Sequence, residues 1–206
     1  MMEIATEHWT RALEMTIWSL GTDHALIRIL SPRKDAGMAT LKAGNEIWNY
    51  LPRVDRTIKV PTSLMGAAWM GSHFTNDDLV KEHRLIEEYD IEIAFEGLRD
   101  GLQVWEFDLR PKPEAAVIWD RIVYLVRVHD LMPVWARFYD ERDDLIRTIT
   151  WSEYQTMGGR LVPALMTIVP ADKPGEHTAV RYAELEFDLD LDGSFFSLRS
   201  LRARPR

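Results

Sequence analysis

Trp69-Met70-Gly71-Ser72-His73-Phe74-Thr75-Asn76-Asp77-Asp78-Leu79 closes a stretch that begins at Asn45 and decides how this chain is built. Before it run two pieces rich in aromatic and β-branched residues, Asn45-Glu46-Ile47-Trp48-Asn49-Tyr50-Leu51-Pro52 and Arg56-Thr57-Ile58-Lys59-Val60-Pro61, whose composition suits extended backbone. The connection between Pro61 and Thr75 carries Leu64, Met65, Trp69, Met70 and Phe74, interleaved with Ser63, Gly66, Gly71 and Ser72. Surface connections are normally polar, so this one either plugs a core or gates an apolar cavity. Methionine adapts to irregular apolar shapes and glycine lets the backbone move, which suits the second alternative.

Downstream, Thr75 precedes Asp78 by three residues with Asp77 between them, so a hydroxyl can accept from first-turn amides while carboxylates face the positive end of the helix dipole. This predicts a helix from about Asn76 to Glu88, with Leu79, Val80, Leu85 and Ile86 as a weak apolar stripe. Upstream, Trp9, Leu13, Met15 and Ile17 alternate with polar residues, Arg11 being a break, and the pattern predicts a half-buried strand from Trp9 to Trp18. Gly21-Thr22-Asp23 turns it into a second strand, Ala25 to Leu30, ended by Ser31-Pro32. Ala39 to Lys42 and Ile47 to Leu51 flank Gly44-Asn45 as a second hairpin.

Beyond the helix the alternation returns and continues. Tyr89 to Glu96, Leu102 to Leu109, Ile122 to Val128, Pro133 to Tyr139, Leu145 to Tyr154, Leu161 to Val169 and Val180 to Leu189 are all predicted strands, and the short polar turns between them suit antiparallel neighbours. Ala115 to Trp119 and Ser194 to Leu198 are predicted helical turns. The result is a mainly β chain with an α+β admixture, one domain over residues 1–206, whose many strands must curl or close and so offer a concave face. Trp48, Tyr50, Trp105 and Trp135 on that inner face would make a large apolar lining.

Composition excludes several classes of function. A formal charge of −8 argues against nucleic acid, since that affinity comes from neutralising phosphates with Lys and Arg. Without cysteine there is no thiolate nucleophile, disulfide or cysteine-ligated zinc. No apolar run is long enough to span a bilayer as a helix, and Met1 to His8 lacks the basic start and apolar core of a signal peptide.

Catalytic and metal-binding patterns are weak. Asp188-Leu189-Asp190-Leu191-Asp192-Gly193 copies the opening of a calcium loop, but the twelfth position is Arg199 where a carboxylate is needed. The histidines have no metal-binding spacing, His73 being the one inside the apolar loop. Met70-Gly71-Ser72-His73 lacks the second glycine of a nucleophile elbow, so Ser72 is not read as a nucleophile. No cofactor, metal or catalytic residue is expected.

Ser31-Pro32-x-x-Asp35-x-Gly37, Trp48-x-Tyr50-Leu51-Pro52 with Arg56 following, and Trp69-Met70-Gly71-Ser72-x-Phe74-Thr75-x-Asp77-Asp78-Leu79 with Tyr89 after it resemble the outer membrane lipoprotein-sorting proteins of the LolA-like group. The resemblance implies an incomplete antiparallel β-barrel wrapped around an apolar cavity with short helices as a lid. It implies a non-enzymatic periplasmic carrier, exported with a signal peptide absent from this sequence, that moves lipid or lipoprotein acyl chains toward the outer membrane. Its partners would be an inner-membrane transporter and an outer-membrane acceptor, with only transient membrane contact. The group's N-terminal helix has no counterpart before Trp9. On this reading Met65, Trp69, Met70 and Phe74 gate the cavity mouth, with Trp48 and Tyr50 on the wall beneath. The competing reading is an accessory subunit of an envelope transport complex, its cavity filled by its own side chains.

Overall fold

The computed structural model describes residues 1–81 and 85–203, with only the backbone of Val80 and Lys81. Among the described residues thirteen strands share one hydrogen-bonded order, β6-β5-β4-β3-β2-β1-β13-β12-β11-β10-β9-β8-β7. They are β1 Met2–Ala5, β2 Thr10–Leu20, β3 His24–Ser31, β4 Ala39–Ala43, β5 Glu46–Leu51, β6 Arg56–Lys59, β7 Tyr89–Arg99, β8 Leu102–Pro111, β9 Arg121–Arg127, β10 Pro133–Tyr139, β11 Leu145–Met157, β12 Arg160–Pro170 and β13 His177–Arg181. Successive hairpins are antiparallel. β6 and β7 end the order without pairing to each other, so the sheet is not closed into a barrel.

The hairpins follow from local chemistry. Arg99 pairs with Leu102 across Asp100-Gly101, and Met157 with Arg160 across Gly158-Gly159. All four turn residues have positive φ, as a two-residue turn that matches strand twist requires. The chain forms two compact units, one of Met1–Glu3, Arg11–Arg84 and Phe187–Arg206, the other of Ile4–Thr10 and Leu85–Glu186.

In the first unit Leu26, Ala39 and Leu41 form a buried cluster with Phe196 and Leu201 from the C-terminal segment. In the second, cross-strand register puts Leu109, Ile122, Phe138, Ile149, Ile168 and Thr178 on one buried face of β8 to β13.

Three expectations are corrected, and one strand was not expected at all. Met2–Ala5 is a strand between β2 and β13, with Met2 and Ile4 fully buried; four residues are too few for periodicity to reveal it. Leu13 of β2 is buried, but Ile17 of the same strand and Trp9, just before it, are each 44% exposed. A register shift between Glu14 and Met15 breaks the alternation there, and Trp18 packs on the core instead. Ala115 to Trp119 holds no helix: a turn closes with Ala115 N–H donating to Lys112 C=O at 2.9 Å, and the Trp119 ring packs edge-on against Phe138. The strand expected from Val180 to Leu189 ends at Arg181. The alternation of Leu185, Phe187, Leu189 and Leu191 with acidic residues reports a chain with one apolar side, and a ladder is a separate requirement.

The expected helix Asn76 to Glu88 begins where the sequence places it, as α1 Asn76–Lys81, and α2 Leu85–Glu88 follows. Residues 82–84 of that expectation lie outside the described residues. At the C-terminal end a single 3-10 turn spans Gly193–Phe195 and α3 spans Leu198–Arg202, with Ser197 as its N-cap.

Candidate functional site

β3, β4 and β5 present two faces. Register aligns Ile27 with Thr40 and Thr40 with Asn49, while Leu26 aligns with Leu41 and Leu41 with Trp48. Neighbours in register share a face, and successive residues point to opposite faces. Ile27, Thr40 and Asn49 therefore share one face, and Leu26, Leu41, Trp48 and, two residues on, Tyr50 share the other.

The apolar loop covers the first face. Trp69, 4% exposed, donates its indole N–H to Thr40 Oγ1 at 3.1 Å, and Thr40 donates to Asn49 Oδ1 at 2.7 Å. The loop is fastened from within: Trp69 N–H donates to Phe74 C=O at 2.7 Å, and Ser72 Oγ donates to Trp69 C=O at 2.6 Å. Asn76 donates through Nδ2 to Leu64 C=O at 3.0 Å and Ala67 C=O at 3.2 Å, while Asp77 N–H reaches Met65 C=O at 2.8 Å. Thr75 and Asp78 cap α1 reciprocally, Thr75 N–H to Asp78 Oδ2 at 2.7 Å and Asp78 N–H to Thr75 Oγ1 at 3.1 Å.

Met70 and Gly71 take φ of 56° and 76° in succession, a left-handed pair that turns the Met70 carbonyl outward from the loop's own bonding. Arg11 donates to that carbonyl at 3.1 Å and forms an ion pair with Asp35 at 2.9 Å. In the sequence Arg11 reads as a flaw in a strand pattern; it is a fastening of the roof, and no spacing signal links it to Met70.

Beneath Trp69 and Met70 lies a cavity of about 80 Å³ bordered chiefly by Ile27, Ile29, Met38, Leu51, Thr40 and Asn49. Ligand pockets are usually several hundred Å³, so this one is too small for an acyl chain. Tyr50 also borders it from β5.

The C-terminal segment covers the second face. Phe196 and Leu201 are buried against Leu26, Ala39 and Leu41, and Trp18, Trp48, Tyr50, Leu191 and Phe195 pack around them. Arg28, 5% exposed, donates to the carbonyls of Ser200 (2.6 Å) and Ala203, so a guanidinium meets the negative end of α3. Desolvation pulls its pKa below the usual arginine value, yet a guanidinium remains charged at any ordinary pH.

The sequence-derived site residues thus divide. Met65, Trp69, Met70 and Phe74 belong to one roof. Strand alternation turns Trp48 to the opposite face, away from the cavity; Tyr50 has the same parity and packs with the C-terminal cluster, yet it also borders the cavity. Trp105 and Trp135 lie in the other unit and do not share a face. Trp105 pairs with Val126 and Trp135 with Leu125, adjacent residues of β9, because a register shift between Pro133 and Trp135 turns the second tryptophan over. Trp105 packs with Phe107, their ring centroids 6.3 Å apart. Among the described residues no group of three or more His, Asp or Glu is disposed to hold a metal, and no helix is long and apolar enough to cross a membrane.

A family model described as an uncharacterized protein matches residues 21–203. No curated protein matches the chain. Three solved structures share the fold. A domain from Vibrio parahaemolyticus, provisionally named an outer membrane lipoprotein-sorting protein, superposes with a TM-score of 0.84 at 21% identity, covering 98% of this chain and 88% of its own. A DUF1329 family protein from Desulfovibrio piger gives 0.84 at 23% identity, with 97% and 88% covered. A LolA superfamily protein from Nitrosomonas europaea gives 0.80 at 18%, again covering 97% and 88%.

Proposed function

For a chain that belongs to the family matched over residues 21–203 and has the fold of the LolA superfamily, we propose a carrier that binds lipid or lipoprotein acyl chains without catalysing a reaction. The observation that supports this is the roofed cavity: apolar side chains of β3 to β5 face a Met- and Trp-bearing loop across a space too small for cargo until the loop shifts. Each buried methylene contributes about 0.8 kcal/mol, so a long acyl chain gains on the order of ten kcal/mol before ordering costs. A cavity that opens and shuts reconciles such binding with release. The carrier works in the periplasm, takes its cargo from an inner-membrane transporter and passes it to an outer-membrane acceptor. Met65, Trp69, Met70 and Phe74 gate the cavity.

The accessory-subunit reading has its own support in the fastening of the roof by Arg11, Ser72 and Asn76. The double substitution Trp69→Ala with Met70→Ser separates the two. Under the carrier reading the affinity or release rate of a fluorescent fatty acid changes at least tenfold per folded molecule, equivalent to about 1.4 kcal/mol. Unchanged uptake together with severe destabilisation ends the carrier reading and leaves a filled core.

A further inference from the structure

The first unit concentrates positive charge in a chain whose formal charge is −8. Arg53 and Arg56 flank the turn between β5 and β6, and Arg199 and Arg202 lie three residues apart on α3; all four are exposed. Arg202 Nε donates to Thr57 Oγ1 at 3.1 Å, which brings α3 against the start of β6 beside Arg56. Buried Leu201 fixes α3 from below, and Arg28 holds its last carbonyls, so the arginines are presented from a firm support. Arg53, Arg56 and Arg199 form no ion pair among the described residues. Asp55, the acid between the first two, accepts from the Tyr50 hydroxyl at 2.9 Å. Residues 193–206 continue the bias in sequence, with four arginines and no acidic side chain.

Two apolar side chains stand among these charges. Val54 is 60% exposed at the tip of the β5–β6 turn and Leu198 is 39% exposed at the start of α3. Other exposed or half-buried arginines do face carboxylates: Arg121 faces Asp108 and Asp143, and Arg181 faces Glu153. Solvation alone gives no reason to gather unpaired guanidinium groups around exposed apolar tips. Guanidinium recognises phosphate oxygens in a planar fork, and short apolar tips seat themselves at a headgroup boundary.

We infer that Arg53, Arg56, Arg199 and Arg202, with Val54 and Leu198, form a docking face for an anionic phospholipid bilayer. Each basic side chain brought near such a surface raises partition about fivefold, and the interaction weakens as salt shortens the Debye length. The inference is independent of the cavity, since Arg53, Arg56, Arg199 and Arg202 do not line it.

Flotation of the whole chain with vesicles tests this. With vesicles of phosphatidylcholine containing about a third phosphatidylglycerol, the protein should float at low salt and leave the membrane as salt rises. With phosphatidylcholine alone it should stay behind. The variant carrying Arg53→Gln, Arg56→Gln, Arg199→Gln and Arg202→Gln should lose partition by at least tenfold while keeping its thermal midpoint and its fatty-acid uptake. Val54→Asp in the parent chain should weaken partition by a smaller factor. Equal partition on both vesicles, or unchanged partition of the quadruple variant, overturns the inference. Retention on immobilised polyglutamate without flotation on anionic vesicles also overturns it, and assigns the face to an acidic protein partner.

Discussion

The Trp69–Phe74 roof and the C-terminal segment cover opposite faces of the same three strands, and they are held by different chemistry. The roof is a network of backbone carbonyls, Ser72, Asn76 and Arg11, with one indole donating to Thr40. In the C-terminal segment Phe196 and Leu201 sink into an apolar cluster, and among the described residues Arg28 and Arg202 tie it to the sheet by polar bonds. Directional bonds fix a shape and can be exchanged for bonds to water one at a time at about 1 kcal/mol each. Apolar burial fixes no orientation but is lost all at once. On the carrier reading the roof, held by these exchangeable bonds around buried Trp69 and Phe74, is the cover that opens, and the C-terminal segment the one that stays.

The largest test strikes the side that should stay. Phe196→Ala should cost about 3–5 kcal/mol, and Leu201→Ala about 2–5 kcal/mol, as large core truncations do. Both are read from the denaturant midpoint with the slope unchanged. A loss under about 1 kcal/mol for either would mean that the C-terminal segment is a loose cover, and the contrast with the roof would collapse.

A smaller effect is expected on the roof itself. Trp69→Phe keeps an aromatic ring over the cavity and removes the indole N–H, while Thr40 keeps its bond to Asn49. The expected cost is about 1 kcal/mol, with faster hydrogen exchange of roof amides such as Ser72. A cost comparable to Phe196→Ala would show the roof to be core of the same kind as the C-terminal segment.

The sequence carried the architecture well where periodicity and turn chemistry agree. β3 to β12 fall close to their predicted positions, because runs with a period of two are separated by turns, Gly-bearing at Gly37, Gly44, Gly101 and Gly158-Gly159 and polar or Pro-bearing at others. The roof was legible as an anomaly, five large apolar residues in a connection, and so was its anchoring to α1 through Thr75 and Asp78. The face assignments were not. A register shift of one residue reverses a strand's faces, and the shifts at Glu14 and at Pro133 leave no compositional trace. Trp48 and Tyr50 look like companions of Trp69 because they precede it in the chain, yet parity along β5 puts their side chains with Phe196. The partnerships of Arg11 with Met70 and of Arg28 with Ala203 span 59 and 175 residues, and nothing local encodes them.

The smallest test concerns how each cover is started. α1, after the roof, uses a hydroxyl and a carboxylate that cap each other, Thr75 and Asp78. The 3-10 turn that opens the C-terminal helical region is capped by Asp192, which accepts from Ser194 Oγ at 2.5 Å and from Ser194 N–H at 2.7 Å. The Ser194 hydroxyl, more than any other contact, holds the Asp192 carboxyl below its ordinary pKa, followed by the backbone N–H of the same residue. A depressed folded-state pKa means that the stabilising contribution is present above the ordinary carboxylate range and is lost as pH falls through the lowered value. Titration of Asp192 by carbon NMR should therefore give a midpoint below that of an exposed aspartate, and Ser194→Ala should move it part of the way back. The global denaturant midpoint should barely change, because the cap is solvent-exposed and Phe196 and Leu201 still hold the segment down. If Ser194→Ala instead lowered that midpoint as far as Trp69→Phe does, the C-terminal segment would depend on directional bonds as the roof does, and the distinction between the two covers would have to be abandoned.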